Sequence, residues 1–298
     1  MRSESGKTAD LPEVRFKNPR LAALGIEPMT MAELRGKVAA KRLNQPERVD
    51  FYLLMLVGAG AGIHTVDFRD WPLAPGQMLF VQPGQVQQWH SEDQFEAQLI
   101  LIDPGALPHS NGQIFSRELG LLGFGEWLTG LQLGGDALQV IEAGFQQLRQ
   151  DFDRFSGEGL DIALIRHALM ALLIRIAKQQ KQGRESGALA ESRRLTHRLF
   201  VQALDASFAR ERSLQYYARR LGYSESTISR ACLAAEGRSA KEVISRRITL
   251  EAKRLLAHST ASVAEVAYQL GFSEATNFVK FFRRNAGVTP KDFRTKMR

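Results

Sequence analysis

Between Ala275 and Arg284 the sequence reads ATNFVKFFRR, and its outward side chains at helical spacing are Ala275, Thr276, Asn277 and Lys280, followed by Arg283 and Arg284. A hydroxyl, an amide and an ammonium on one helix face can hydrogen-bond base edges, and the cations behind them can meet phosphates. That order suits a helix whose amino-terminal half enters a DNA groove while its flank follows the backbone. A solvated amphipathic helix would look the same if it stood alone, so the surrounding elements decide.

Those elements form a helix, a tight turn and a second helix. Val263, Val266, Ala267 and Leu270 recur at i, i+3, i+4 and i+7, with Ser262 and Glu265 placed as a capping box. Gly271 can end that helix in the left-handed region, Ser273 offers the next N-cap, and Phe278, Phe281 and Phe282 make the inner face of the second helix.

The motif occurs twice. Leu214, Tyr217, Ala218 and Leu221 repeat the apolar face, and Gly222-Tyr223-Ser224-Glu225 matches Gly271-Phe272-Ser273-Glu274 at an offset of 49. Beyond that point the offset is 50, pairing Ile228 with Phe278, Arg230 with Lys280, Cys232 with Phe282 and Gly237 with Gly287, which reads as one residue inserted early in the second recognition helix. Between the motifs, Lys241 to about His258 predicts a helix of roughly 27 Å, near the ~34 Å that separates successive major-groove faces.

Charge follows the same division. Residues 193–298 hold 21 Lys and Arg against 9 Asp and Glu, a net of +12, whereas residues 1–192 hold 19 against 23, a net of −4. An excess spread over about a hundred residues marks a polyanion partner, with nucleic acid first. The single cysteine, Cys232, excludes a disulfide framework and a cysteine metal cluster. The start MRSESGKTADLPEVRF has no apolar signal region and no run approaches a membrane span, so a soluble, cytoplasmic protein is expected, with no membrane partner.

Residues 1–45 are expected to form an arm packed on the next domain, with short helices over Leu21–Leu24 and Met31–Leu43. From Val49, β-type runs alternate with Gly and Pro: Phe51–Val57, a turn over Gly58-Ala59-Gly60-Ala61-Gly62, then Ile63–Phe68, Met78–Val81, Val86–His90 and Gln98–Ile102. Such punctuation predicts a sandwich or small barrel able to hold a small ligand. After Asp136 the period becomes helical, with Leu138, Ile141, Phe145, Leu148 and Phe152 on one helix and Ile162, Ile165, Leu169, Leu172, Leu173 and Ile176 on the next. This hairpin either closes over the barrel or pairs with another subunit. Lys178 to Ser192 reads as a linker.

The stretch VAEVAYQLGFSEATNFVKFFRRNAGVTPKDFR resembles the signature of the AraC/XylS transcription regulators, and HTVDFRDWPLAPGQMLFVQPGQVQQW more loosely resembles their cupin-type effector domain. The resemblance implies a two-domain fold. A cupin-like β-barrel with a helical hairpin over residues 46–181 would follow the arm; a linker at 182–192 would lead to an all-α domain at 193–298, two helix-turn-helix motifs joined by a linker helix. Carried over by position, Ser226, Thr227, Ser229 and Arg230 of the first recognition helix and Ala275, Thr276, Asn277 and Lys280 of the second face the groove. Arg230 could read guanine bidentately, worth about 1–3 kcal/mol of discrimination. Lys280 stands where the family commonly has arginine, and Ala275 offers only apolar contact. Arg283, Arg284, Lys291 and Arg294 suit phosphates, and Cys232 is core.

For the barrel, alternation puts His64, Val66 and Phe68 on one face and Gln87 and Trp89 on another, so His64, Phe68, Gln87 and Trp89 are the candidate effector residues. Arg69 is the nearest cation should the effector be a carboxylate. His64 and His90 lack the spacing of a cupin metal site, so no metal, cofactor or enzyme activity is expected. The expected function is sequence-specific activation of transcription, controlled by a small molecule, with operator DNA, RNA polymerase and a second copy of the chain as partners. The alternative is a DNA-binding regulator governed by abundance or by a partner protein.

Overall fold

The computed structural model describes residues 13–14, 16, 24–90, 94–107, 122, 124, 127–180 and 188–297. They divide between Gly183 and Arg184 into a sheet-rich unit and a helical unit. The strands are β1 (Glu13–Val14), β2 (Ile26–Thr30), β3 (Glu47–Val49), β4 (Tyr52–Val66), β5 (Arg69–Leu73), β6 (Gln77–Val81), β7 (Val86–Trp89), β8 (Gln94–Ile102) and β9 (Gly130–Gln132). The helices of this unit are α1 (Met31–Lys37), α2 (Ala40–Leu43), α3 (Gly135–Asp153) and α4 (Gly159–Gln180).

β4 organises the sheet. Its first half pairs antiparallel with β6, its second half with β5 and β7, and β8 follows it from Tyr52 to Ala61. The glycine-rich stretch expected as a turn therefore lies inside one continuous strand. A register shift between Val57 and Ala59 marks a bulge. One extra residue inverts the alternation, so Leu53, Met55 and Val57 before it and His64 and Val66 after it face the same interior. The glycines permit the corner: Gly60 has φ +77, and a Cβ there would overlap the Gln94 carbonyl oxygen.

The chain reverses later, at Asp67 and Phe68, whose φ values of 48 and 65 form a two-residue type I′ loop between the paired Val66 and Arg69. The Asp67 carboxylate fixes this loop by accepting from the Val86 backbone N–H (3.1 Å) and the Gln85 amide (2.9 Å). Phe68 consequently sits on the loop, 37% exposed, and does not share the inner face with His64. β5, which the sequence reading omitted, carries Pro72 and pairs with β4, the placement of a proline-bearing edge strand.

The stretch expected as an arm contributes two strands and two short helices, β1 pairing parallel with β3. β2 pairs with β8, and Thr30 then caps α1 through a capping box with Glu33. Residues 21–23 of the expected first helix lie outside the described residues. Arg149 of α3 grips Glu33 through two bonds of 2.7 and 2.8 Å, holding that carboxyl down at about 2.

Two apolar cores flank the sheet. Leu53, Met55, Val57, Leu79, Val81, Trp89 and Leu99 fill the interior, while Leu54, Leu56, Phe80, Ile100 and Ile102 meet Ile141, Phe145 and Leu148 of α3 and Ile165, Leu169 and Leu172 of α4. Coverage of both faces explains the unbroken buried run Leu53–Val57. The hairpin thus closes over the barrel; each fully buried Phe or Leu contributes roughly 1.5–3 kcal/mol.

The helical unit comprises α5 (Ala188–Ser207), α6 (Leu214–Leu221), α7 (Glu225–Glu236), α8 (Ala240–His258), α9 (Val263–Gln269), α10 (Ala275–Ala286) and α11 (Pro290–Met297). α4 runs to Gln180 and α5 begins at Ala188, so the stretch read as a linker from Lys178 to Ser192 is helical at both ends, and its residues 181–187 lie outside the described residues. Phe200 and Leu204 of α5, Tyr217 of α6, Ile228 of α7, Ile244 and Ile248 of α8, Val266 of α9 and Phe278 and Phe282 of α10 belong to one apolar cluster. On α8, Arg247 bonds Asp205 (2.6 Å) and Glu251 (3.2 Å) and stacks on Phe208 (3.9 Å), which fastens α8 to the end of α5. Among the described residues, no helix is long and apolar enough to cross a membrane.

Candidate DNA interface and effector site

Both helix-turn-helix pairs form, and local chemistry accounts for each. Leu214, Tyr217 and Ala218 bury the inner face of α6, and Gly222 ends it at φ +70. Ser224 caps α7 by accepting from the Thr227 N–H at 3.1 Å. In the second pair, Ser262 and Glu265 make the expected capping box on α9 (2.6 and 3.2 Å), and Gly271 follows at φ +75. Ile228 and Cys232 of α7 are buried at the positions that Phe278 and Phe282 occupy on α10. Burial pushes the Cys232 thiol up to about 12, so it stays a protonated core group.

The inserted residue lies in the turn, not in the recognition helix. The bonds Tyr223 N–H to Ala218 and Phe272 N–H to Ala267 still correspond at an offset of 49. α7 and α10 are twelve residues each and correspond at 50 throughout. The longer turn also displaces the expected cap: Glu274, not Ser273, is the N-cap of α10, and it makes no side-chain capping bond.

The groove candidates emerge on the outward faces. Ser226 and Arg230 of α7 are exposed, Thr227 and Ser229 half-buried; on α10 Thr276, Asn277, Lys280, Arg283 and Arg284 are exposed and Ala275 is half-buried. Arg230 folds along its own helix, donating to the Ser226 carbonyl at 3.3 Å. Lys291 is exposed at the start of α11. Arg294 departs from its expected role. It turns inward, donating to the Leu256 carbonyl (3.0 Å) and the Ala261 carbonyl (2.6 Å), and so satisfies the end of α8. Sequence reading missed Arg212, which precedes α6 and stacks at 4.1 Å on Phe272 while donating to the Gly271 carbonyl at 2.6 Å. A contact across 59 residues leaves no periodic signal.

In the barrel, three of the four effector candidates meet. His64 pairs across strands with Trp89, their rings 4.2 Å apart, and Val66 pairs with Gln87. His64, Gln87 and Trp89 are all buried. Gln87 Oε1 lies 3.2 Å from His64 Nε2 and can only accept, so His64 carries its proton on Nε2. Gln87 Nε2 in turn donates to Glu47 at 3.3 Å. The remaining His64 nitrogen, Nδ1, is thereby a bare acceptor, buried and without a hydrogen-bond partner. Burial holds the His64 imidazole down to about 3, against the Gln87 bond and with a smaller push from His90 in the same direction. Burial likewise raises the Glu47 carboxyl. His90 bonds Thr65 instead, at 3.0 Å. Arg69 is exposed and stacked on Trp71 at 4.1 Å.

Comparison with known proteins assigns both halves. Residues 39–169 match the model of the AraC-like ligand binding domain, and residues 217–296 match a helix-turn-helix domain. The chain belongs to the AraC family of transcription regulators. Among curated relatives of this AraC-family chain, the HTH-type transcriptional activator RhaS of Escherichia coli (strain SE11) is 26% identical over 250 residues, 82% of this chain and 85% of that one. The HTH-type transcriptional activator RhaR of Klebsiella pneumoniae is 23% identical over 249 residues, 84% of this chain and 86% of that one. Among solved structures, ToxT from Vibrio cholerae O395 aligns at 10% identity and a TM-score of 0.38, covering 84% of this chain and 90% of that one. The sheet-rich unit of this AraC-family regulator is therefore its ligand-binding half and the helical unit its DNA-binding half.

Proposed function

We propose that this regulator activates transcription by reading a two-part operator with α7 and α10, under control of a small molecule bound at the His64–Gln87 end of the barrel. The duplicated helix-turn-helix, with hydroxyl, amide and cationic side chains outward at corresponding positions, carries the DNA reading. Activation is supported by the curated relatives, which are named as activators, and RNA polymerase is then the partner. The effector and dimerisation half spans 46–181 and the reader 193–298, working in the cytoplasm. Ser226, Thr227, Ser229 and Arg230 carry most of the sequence reading; Ala275, Thr276, Asn277 and Lys280 add contacts to the second half-site, and Arg283, Arg284 and Lys291 bind phosphates.

Binding assays separate these roles. Arg230→Ala is expected to lose about 1–3 kcal/mol on the cognate operator and little on random DNA. Arg283→Ala should weaken all DNA alike and lower the salt slope by about one. Equal losses on both DNAs for Arg230→Ala would remove its base-reading role.

The effector reading rests on the bare Nδ1 of His64. A buried acceptor left without a donor costs roughly 1–3 kcal/mol, which a ligand hydroxyl or N–H would recover.

A second copy of the chain fits the outer face of α4. Leu160, Leu164 and Ile174 are 83%, 54% and 41% exposed and, with His167 and Ala171 between them, repeat at alternating four- and three-residue spacing. Leu164→Glu is expected to shift sedimentation toward the monomer; an unchanged dimer would place the interface elsewhere.

A further inference from the structure

The two heads touch directly, away from α8. The loop between α5 and α6 carries Ala209 and Arg212, and both meet the turn of the second head. Gly271 lies so close to the Ala209 carbonyl oxygen that no Cβ fits between them. The Arg212 guanidinium donates to the Gly271 carbonyl at 2.6 Å and lies 4.1 Å over the Phe272 ring. Phe272 is itself buried against Phe278 and Phe281, with centroids 5.3 and 5.2 Å away, so Arg212 grips a side chain rooted under the second recognition helix.

We infer that Arg212 is a positioning residue that fixes the second head against the first and thereby sets the base-pair spacing between the two halves of the operator. The inference rests on both heads reading DNA. α8 joins the heads along its length; side-chain packing and the close approach of Gly271 to the Ala209 carbonyl limit how near the heads come, and the Arg212 bond adds the directional restraint against rotation of the second head about that axis. Moving one half-site by a base pair rotates it by roughly 35° and shifts it by about 3.4 Å, given a turn of ~34–36 Å per 10–10.5 base pairs. A second head held by a bidirectional clamp of hydrogen bond and stacked ring cannot follow that displacement; a released one can. Arg212 is itself exposed, so its replacement removes no buried side chain, only the guanidinium laid over Phe272.

Selection from a randomised duplex pool tests this with the full chain and with Arg212→Ala. The wild type is expected to enrich two sequence elements at one fixed spacing, and the variant the same two elements at spacings spread over at least two base pairs. A fixed spacing for both, or a uniform loss of affinity at fixed spacing, would make Arg212 a phosphate contact or a purely structural one and overturn the inference. Enrichment of a single element by the wild type would instead remove the two-headed reading on which it rests. Spin-label distances give a second measure free of DNA. Labels at Ala235→Cys and Asn285→Cys, both exposed, report the separation of α7 and α10, because the buried Cys232 does not react. Arg212→Ala should broaden a narrow distribution, and Arg212→Lys, which keeps a donor for Gly271, should fall between; an unchanged width in Arg212→Ala would overturn the inference.

Discussion

Replacing Gly271 with alanine is expected to destabilise the helical unit by about 4 kcal/mol and to abolish operator binding, whereas the same change at Gly222 costs about 1–2 kcal/mol. The two glycines are equivalent by sequence and both lie in the left-handed region, at φ +75 and φ +70. An alanine there carries the same backbone penalty at each. They differ in surroundings: a Cβ on Gly222 meets nothing within 4 Å, while one on Gly271 would overlap the Ala209 carbonyl, a backbone atom that cannot swing away. Relief requires the whole turn to move, and α10 with it. Urea titrations followed by far-ultraviolet circular dichroism on the full chain check the contrast; equal losses at the two sites would show that the Ala209 contact adds nothing.

Acid should destabilise the barrel earlier than its carboxylates alone would. His64 titrates at about 3 in the folded chain against an ordinary value near 6.5. Above pH ~6.5 neither state takes the proton, so the full stability is present. Below it the unfolded chain binds a proton that the folded chain refuses, and about 1.4 kcal/mol is lost per pH unit, or roughly 3 kcal/mol between pH 6.5 and 4.5. All three tryptophans, Trp71, Trp89 and Trp127, lie in the sheet-rich unit, so their emission reports its unfolding separately. His64→Phe should flatten this limb of the profile, leaving the fall that Glu33 contributes at lower pH, where protonation releases it from Arg149. The same replacement should weaken binding of any effector that donates to Nδ1, about tenfold or more, in a screen of sugars, aromatic acids and amino-acid derivatives read by tryptophan emission. An effector bound equally well by His64→Phe would place the polar end of the site elsewhere.

What could be read beforehand was local. Caps, left-handed glycines and the i, i+3, i+4, i+7 faces lie within a few residues of one another, so both helix-turn-helix pairs and the hairpin helices were legible. The glycine run after Val57 was misread because a corner inside a long strand and a chain reversal use the same residues; pairing with β8 distinguishes them. Phe68 was misplaced for the reciprocal reason, since nothing in a phenylalanine announces a φ of 65. Arg294 and Arg212 resembled solvent-facing cations, and their acceptors, the carbonyls of Leu256, Ala261 and Gly271, lie between 33 and 59 residues away. Strand alternation put Gln87 and Trp89 on one face, where both are buried, but it grouped His64 with the exposed Phe68, and the His64–Gln87 bond that settles the tautomer is visible only across strands.

The extra residue in the second turn has a consequence for redesign. Because it leaves α7 and α10 equal in length, with core positions in step, the outward residues of the two helices form interchangeable cassettes. On the proposed reading, trading Ser226, Thr227 and Arg230 as a set for Thr276, Asn277 and Lys280 is expected to rewrite operator preference without repacking the helix beneath, which makes it a grafting problem confined to the surface.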